Sequence, residues 1–196
     1  MKLSEARYSL AGYITEPLVR LLAKTPITPS ALTWIGFVLT VVAAALVVTG
    51  QLLAAGIVML VGGLFDMLDG ALARYKKQTS RFGAFLDSTL DRLSEVVVLL
   101  GILVLEAKEQ SLIGVLLVGL ALVGSLLVSY IRARAEALGL DCQVGLFTRP
   151  ERVIVLALGL LLGHIDYVLI IALAIIVFFS FFTAGQRLFY VWRAIK

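Results

Sequence analysis

The chain has 196 residues, of which 61% are apolar and 15% are charged, and its formal net charge is +4. A soluble domain has about 45–50% apolar and about 25% charged residues, so this composition, with a mean hydropathy of +1.03, excludes a single water-solvated core. Cys142 is the only cysteine, which excludes an internal disulfide framework and a cysteine–histidine site for zinc or haem.

The first predicted element is an amphipathic segment at residues 1–24. Leu10, Ile14, Leu18 and Leu21 recur at near-helical spacing, and charged residues occupy the other positions. This pattern predicts a helix that lies in the headgroup plane of a membrane. Charged residues precede any long apolar run, so a cleaved signal peptide is not expected.

Six membrane-spanning helices are predicted within residues 25–196, which form one domain. Apolar runs of this length cross a bilayer as helices, so the expected fold is an all-α integral membrane protein. The fifth span is the shortest, but without it Arg187, Arg193 and Lys196 would lie outside the cell. The predicted spans cover residues 31–50, 52–74, 83–105, 111–134, 150–164 and 167–190.

The distribution of basic residues predicts the orientation of these spans. With six crossings and a cytoplasmic N-terminus, Lys108 is the only one of the 17 Lys and Arg residues on the outer side. The positive-inside rule favours this arrangement. Attraction to anionic lipid headgroups explains most of the positive charge without a nucleic-acid partner. The sequence therefore predicts a multi-pass protein of the cytoplasmic membrane.

Four aspartates lie inside the otherwise apolar second and third spans. Asp66 and Asp69 are three residues apart, and Asp87 and Asp91 are four apart, so each pair projects from one helical face. One unpaired carboxylate at the centre of a span costs about 2.5–3.5 kcal/mol on insertion scales. A short connection makes the two spans antiparallel neighbours, and the four acids are therefore expected to share one site. Carboxylate oxygens suit Mg²⁺, Mn²⁺ or Ca²⁺, and the charge favours two such ions.

Other interpretations of the acids remain open at this point. Intramembrane acids also serve ion- or proton-coupled carriers, and a polyprenyl transferase also pairs Mg²⁺ with aspartates. A structural cluster neutralised by Arg74, Lys76 and Arg92 is disfavoured, because apolar residues would fill the same space at lower cost. Small residues beside the acids allow either close helix packing or the approach of a planar ligand.

The residues around the acids carry a family resemblance. The strings FDMLDGALAR at 65–74 and GAFLDSTLD at 83–91 fit D-x2-D-G-x2-A-R-x8-G-x3-D-x3-D without departure. This pattern resembles that of the CDP-alcohol phosphotransferase family of membrane enzymes, and the resemblance extends to TPSALT at 28–33 and to the six-span layout. It implies transfer of a phosphatidyl group from a CDP-linked lipid to an alcohol, with release of CMP.

The resemblance also implies a role for each motif residue. The acids would hold two divalent cations, Mg²⁺ or Mn²⁺, and Asp91 would also take the proton from the acceptor hydroxyl as it attacks the β-phosphorus. A homodimer is expected. The implied metal ligands are Asp66, Asp69, Asp87 and Asp91, and the implied CDP-lipid-binding residues are Pro29, Thr33, Asp69, Gly70, Ala73, Arg74 and Gly83.

A second basic cluster, at the cytoplasmic ends of spans four to six, bears on the acceptor. Guanidinium groups match phosphate oxygens bidentately, so this cluster favours an alcohol that already carries a phosphate; free serine, choline or ethanolamine would not require it. The residues expected to bind that phosphate are Ser129, Arg132, Arg134, Arg149, Arg152 and Arg187.

Two strings in this cluster narrow the expected acceptor. SYIRARAE at 129–136 and RPER at 149–152 are similar to those of phosphatidylinositol phosphate synthases. The expected substrates are therefore inositol 1-phosphate and either CDP-diacylglycerol or CDP-archaeol. Glycerol 3-phosphate, the acceptor of phosphatidylglycerophosphate synthases, is the close alternative.

Overall fold

The computed structural model describes residues 16–196. A helical segment at residues 16–23 precedes six longer helices in that part of the chain. Most of the amphipathic segment predicted at 1–24 lies outside the described residues. The six helices are α1 (Pro29–Val48), α2 (Leu52–Tyr75), α3 (Arg81–Lys108), α4 (Leu112–Ala137), α5 (Arg149–Leu161) and α6 (Val168–Ile195).

Polar side chains cap the starts of α1, α3 and α5. Thr28 accepts a hydrogen bond from the backbone N–H of Ala31 at the start of α1, and Ser80 accepts one from Gly83 at the start of α3. Thr148 and Glu151 form a capping box at the start of α5. These caps satisfy backbone N–H groups that a helix start leaves unpaired, so the ends of three helices are fixed close to the polar residues described below.

The six helices pack in two groups, α1 to α3 and α4 to α6, which also contact each other. Helix α1 packs against α2 and α3, α4 packs against α6, and α5 packs against both α2 and α6, while α3 also contacts α4. Close approach depends on small residues: a Cβ on Gly101 of α3 would stand 2.9 Å from the backbone oxygen of Ala44 in α1. The main core draws on all six helices and includes Val47, Met59, Ile102, Val118, Leu160 and Leu173.

Four helices in the described residues are long and apolar enough to cross a membrane: α1, α2, α4 and α6. They correspond to the first, second, fourth and sixth predicted spans, and the chain is therefore a membrane protein. Helix α3 has 28 residues, but its first half carries several acids. Helix α5 has 13 residues and is about 20 Å long at 1.5 Å per residue, which is shorter than a hydrocarbon layer of about 30 Å. The count of six crossings stays a prediction.

Candidate active site

The four motif aspartates come together where α2 ends and α3 begins, and both of these helices pack against α1 rather than mainly against each other. Asp66 and Asp69 lie in the last three turns of α2, and Asp87 and Asp91 lie in the first three turns of α3. The carboxylates are close enough to repel one another electrostatically. Asp69 is only 4% exposed, and its Oδ2 atom is buried without a hydrogen-bond partner among residues 16–196.

Arg149, at the first position of α5, is the cation that compensates two of these acids. Its Nη2 lies 2.6 Å from Oδ2 of Asp66, and its Nη1 lies 2.7 Å from Oδ1 of Asp91. Within residues 16–196, neither Asp69 nor Asp87 makes a salt bridge. The site therefore contains more carboxylate charge than its arginine neutralises.

The donor set fits a hard divalent cation. Carboxylate oxygens are the ligands that Mg²⁺ and Mn²⁺ prefer, and such an ion would satisfy the unpartnered oxygen of Asp69. As the side chains stand, no three Asp, Glu, His or Cys residues of the described chain form a complete metal-binding group, and Arg149 engages two of the four acids.

The first cavity, of about 380 Å³, opens on one side of the acids. It lies between the start of α1, the end of α2 and the start of α3. The seven residues that the family resemblance assigns to CDP-lipid binding all line it. Ser30, Gln78 and Thr79 also line it without having been predicted. The full lining is Thr28, Pro29, Ser30, Thr33, Asp69, Gly70, Ala73, Arg74, Gln78, Thr79, Ser80, Gly83, Ala84 and Asp87.

The second cavity, of about 480 Å³, opens on the other side of the acids, between α3, α4, α5 and α6. Asp87 lines both cavities, so they meet at that carboxylate. Arg134 does not line the second cavity and is exposed, whereas the other five predicted phosphate-binding residues do. These five are Ser129, Arg132, Arg149, Arg152 and Arg187.

The arginines of the second cavity are held in different ways. Arg132 pairs with Glu136 at 2.8 Å, and both are exposed. Arg187 is 3% exposed; its Nε donates to the backbone oxygen of Val144 at 2.8 Å and its Nη1 to that of Val128 at 2.5 Å. Neutral carbonyls rather than a carboxylate hold Arg187, so its positive charge is available to an anion.

Arg152 has a partner that the sequence analysis missed. Its Nε and Nη2 donate to the two carboxylate oxygens of Glu95 at 2.5 and 2.9 Å. Ser125 donates to Oε1 of Glu95 at 2.8 Å. The available signal was the spacing, because Glu95 follows Asp91 by four residues and lies on the same face of α3.

Comparison with protein families matches residues 26–186 to the family described as CDP-alcohol phosphatidyltransferase. The chain is 40% identical over 167 residues to the archaetidylinositol phosphate synthase of Methanothermobacter thermautotrophicus, covering 84% of this chain and 83% of that protein. It is 39% identical over 191 residues to the phosphatidylinositol phosphate synthase of Mycobacterium marinum, covering 92% and 80%.

Solved structures share the fold. The phosphatidylinositol phosphate synthase of Mycobacterium tuberculosis with CDP-DAG bound gives a TM-score of 0.84 at 36% identity, covering 92% of this chain and 94% of that one. The same enzyme in complex with manganese and citrate gives 0.82 at 37% identity, covering 91% and 88%. The arrangement of α1 to α6 is thus similar to that of enzymes crystallised with a CDP-linked lipid and with a divalent metal.

Proposed function

The chain belongs to the CDP-alcohol phosphatidyltransferase family, and from that premise we propose that it transfers the lipid phosphate of a CDP-linked lipid to inositol 1-phosphate. The donor is CDP-diacylglycerol or CDP-archaeol, and the products are a phosphatidylinositol phosphate, or its archaeal ether counterpart, and CMP. One observation carries this proposal: two cavities meet at Asp87, one lined by the family motif and the other by arginines. Family membership favours a transferase over the carrier interpretation.

The first cavity is the proposed site for the cytidine diphosphate of the donor. The small residues Gly70, Ala73 and Gly83 leave space beside the backbone, and Arg74 brings a positive charge to the same lining. A guanidinium group can donate to phosphate oxygens through more than one nitrogen. The structure of a relative with CDP-DAG bound supports this assignment.

The second cavity is the proposed site for the phosphate of the acceptor. Arg152 and Arg187 are buried in its wall, and Ser129, Arg132 and Arg149 line the same cavity. A cavity with this excess of guanidinium groups suits an acceptor with a phosphate. Relatives named as archaetidylinositol and phosphatidylinositol phosphate synthases support inositol 1-phosphate rather than glycerol 3-phosphate.

The acids between the cavities are the proposed reaction centre. Asp91 faces the acceptor side and takes the proton of the acceptor hydroxyl, whose oxygen forms a bond to the β-phosphorus while the bond from that phosphorus to the bridging oxygen of CMP breaks. Two divalent cations, Mg²⁺ or Mn²⁺, held by Asp66, Asp69, Asp87 and Asp91, would offset the charge of the diphosphate and of the departing CMP. Arg149 orients Asp91 through their salt bridge.

The membrane arrangement completes the proposal. Six crossings, with α3 and α5 as the third and fifth, place both cavities at the cytoplasmic face, where CDP-lipids and phosphorylated alcohols meet. Residues 1–24 form the interfacial segment and residues 25–196 the catalytic domain, and the enzyme is a homodimer in the cell membrane. The positive-inside distribution of Lys and Arg supports this orientation.

A parallel acceptor assay tests the proposed function. Purified protein in lipid nanodiscs receives CDP-diacylglycerol, Mg²⁺ or Mn²⁺, and either inositol 1-phosphate, glycerol 3-phosphate, free inositol or serine, and CMP release is measured. We expect the fastest release with inositol 1-phosphate. Faster release with glycerol 3-phosphate would identify that compound as the acceptor instead. Fastest release with free inositol or serine would show that the second cavity does not serve to bind an acceptor phosphate.

A further inference from the structure

A buried ionic network ties three helices together behind the second cavity. Glu95 of α3, Ser125 of α4 and Arg152 of α5 are 7%, 4% and 2% exposed. The carboxylate of Glu95 accepts two hydrogen bonds from Arg152 and one from Ser125. None of the three residues belongs to the motif of acids, and the proposed reaction gives no role to Glu95 or Ser125.

A buried ionic network of this kind contributes little to the free energy of folding, so its presence calls for another role. Burying a carboxylate and a guanidinium removes both from water, and apolar side chains of similar size often stabilise a core equally well. Helix packing alone therefore does not explain these residues. The orientation that Glu95 imposes on Arg152 does provide a use, because Arg152 also lines the second cavity.

The bidentate contact determines which donor of Arg152 remains. Glu95 engages Nε and Nη2, and Nη1 is buried without a hydrogen-bond partner in the described residues. Buried N–H groups are seldom left unpaired. An anionic oxygen in the cavity that Arg152 lines would provide the missing acceptor.

Glu95 also determines the orientation of the Arg152 guanidinium group. Across the same cavity stand Asp87 and Asp91, which would attract a free guanidinium group. Because Glu95 neutralises Arg152 and holds it at two nitrogens, Arg152 stays in the wall of the cavity. Arg187, held by carbonyls, then supplies uncompensated positive charge, and Arg152 supplies a fixed donor.

We propose that Glu95, supported by Ser125, is a positioning residue of the second cavity: it holds Arg152 so that Nη1 donates to a phosphate oxygen of the acceptor. The identity of that acceptor rests on the proposed function. The coupling of Glu95 to anion binding does not, and it can be measured without turnover.

A double-mutant cycle with inorganic phosphate as the probe tests this coupling. Wild type, Glu95→Gln, Arg152→Ala and the double variant are titrated in nanodiscs, and the Kd for phosphate is measured by calorimetry. We expect Glu95→Gln to raise the Kd about tenfold, as the loss of one charge-assisted hydrogen bond does, and to add nothing when Arg152 is already alanine. A merely structural role would give the same change in both backgrounds.

Two further variants keep the test decisive. Glu106→Gln changes the other buried glutamate of α3, which is 4% exposed and lines neither cavity, and it should leave the phosphate Kd unchanged. If Glu95→Gln does not fold, Ser125→Ala removes one of the three hydrogen bonds of Glu95 and should raise the Kd by about two- to threefold.

The outcomes separate this inference from the proposed function. An unchanged phosphate Kd in Glu95→Gln, additive effects in the cycle, or no phosphate binding by the wild type would overturn the inference, even if the enzyme uses inositol 1-phosphate. A wild type that binds phosphate with the expected coupling but releases no CMP with inositol 1-phosphate would leave the inference standing and reject the proposed function. In an active enzyme, Glu95→Gln should raise the KM for the acceptor about tenfold and leave the KM for CDP-lipid unchanged.

Discussion

Arg149 and Asp91 form a salt bridge of 2.7 Å between the start of α5 and the first half of α3. The same guanidinium group reaches Asp66 at 2.6 Å, so one side chain joins two of the motif acids to the wall of the second cavity. A divalent cation that binds the same carboxylates must share them with this arginine or displace it. Metal binding and acceptor binding are therefore linked through Arg149.

Arg149→Ala should change these two equilibria in opposite directions. Removal of the positive charge beside Asp66 and Asp91 relieves repulsion of the ion, so the Kd for Mn²⁺ should fall about five- to tenfold. The KM for the phosphorylated acceptor should rise, because the second cavity loses a guanidinium group. Calorimetric titration with Mn²⁺ measures the first effect. Arg134 is exposed and lies outside both cavities, so Arg134→Ala should change neither quantity. Weaker Mn²⁺ binding by Arg149→Ala would show that Arg149 does not compete with the ion.

Asp91→Asn should abolish turnover and largely preserve donor binding. The amide cannot accept the proton of the acceptor hydroxyl, and the loss of a general base lowers kcat by about 10²–10⁴-fold. Asp91 does not line the first cavity, so the Kd for CDP-diacylglycerol, measured without divalent cations because Asp91 is also a proposed metal ligand, should stay within about twofold of the wild type. CMP release and a donor-binding titration measure the two effects. Asp141→Asn, an exposed acid outside both cavities, is the control, and unchanged turnover in Asp91→Asn would reject the role of base.

Arg187→Ala should weaken acceptor binding and the fold together. The variant removes the charge that no carboxylate in residues 16–196 compensates, and it removes the side-chain donor to the backbone oxygens of Val144 and Val128. The KM for inositol 1-phosphate should rise at least tenfold, because a hydrogen bond between charged groups contributes about 1.5–3 kcal/mol. Steady-state kinetics and thermal unfolding measure both effects. Arg193→Ala, on the same helix and exposed, should alter neither; an unchanged acceptor KM in Arg187→Ala would remove Arg187 from the phosphate site.

Gly36→Ala should displace one of the motif acids. A Cβ at this position would stand 2.8 Å from Oδ1 of Asp66 and 3.2 Å from the backbone oxygen of Gly62. Overpacking of this kind costs about 1–3 kcal/mol, so the melting temperature and turnover should both fall. Gly63→Ala is the matched control, because its Cβ would meet nothing within 4 Å and alanine favours a helix. Equal melting temperatures for Gly36→Ala and the wild type would show that Asp66 and α1 do not pack as described.

The residues of the first cavity could be predicted because they are close in sequence. The motif covers the end of α2 and the start of α3, which a short turn joins, so Asp66, Asp69, Asp87 and Asp91 could be expected to lie close together, and Asp69 and Asp87 line this cavity. Residues 28–33 were assigned to the same place through the family resemblance. In the turn between these helices, Lys77 has a φ of 54°, and Lys76 donates to the backbone oxygens of Thr25 and Ile27.

The second cavity could be predicted only in part, because helical spacing does not determine which helices become neighbours. The contacts of Arg149 with Asp66 and of Arg152 with Glu95 join residues 83 and 57 positions apart. The positive-inside rule also does not distinguish among the arginines at the predicted cytoplasmic ends of the spans, and Arg134 was therefore grouped with residues that line the cavity. Glu95 was missed because it lies outside the family motif. Its role depends on its contact with Arg152, which the sequence does not reveal.

Acids from α2 and α3 should gather around divalent cations between the two cavities. Anomalous diffraction from crystals of the purified protein soaked in Mn²⁺ tests it most directly. We expect manganese peaks within ligand distance of Asp66, Asp69, Asp87 and Asp91, and loss of the peaks in Asp87→Asn. A well-ordered crystal with no anomalous peak among these carboxylates, from protein that still releases CMP after removal of divalent ions, would contradict it.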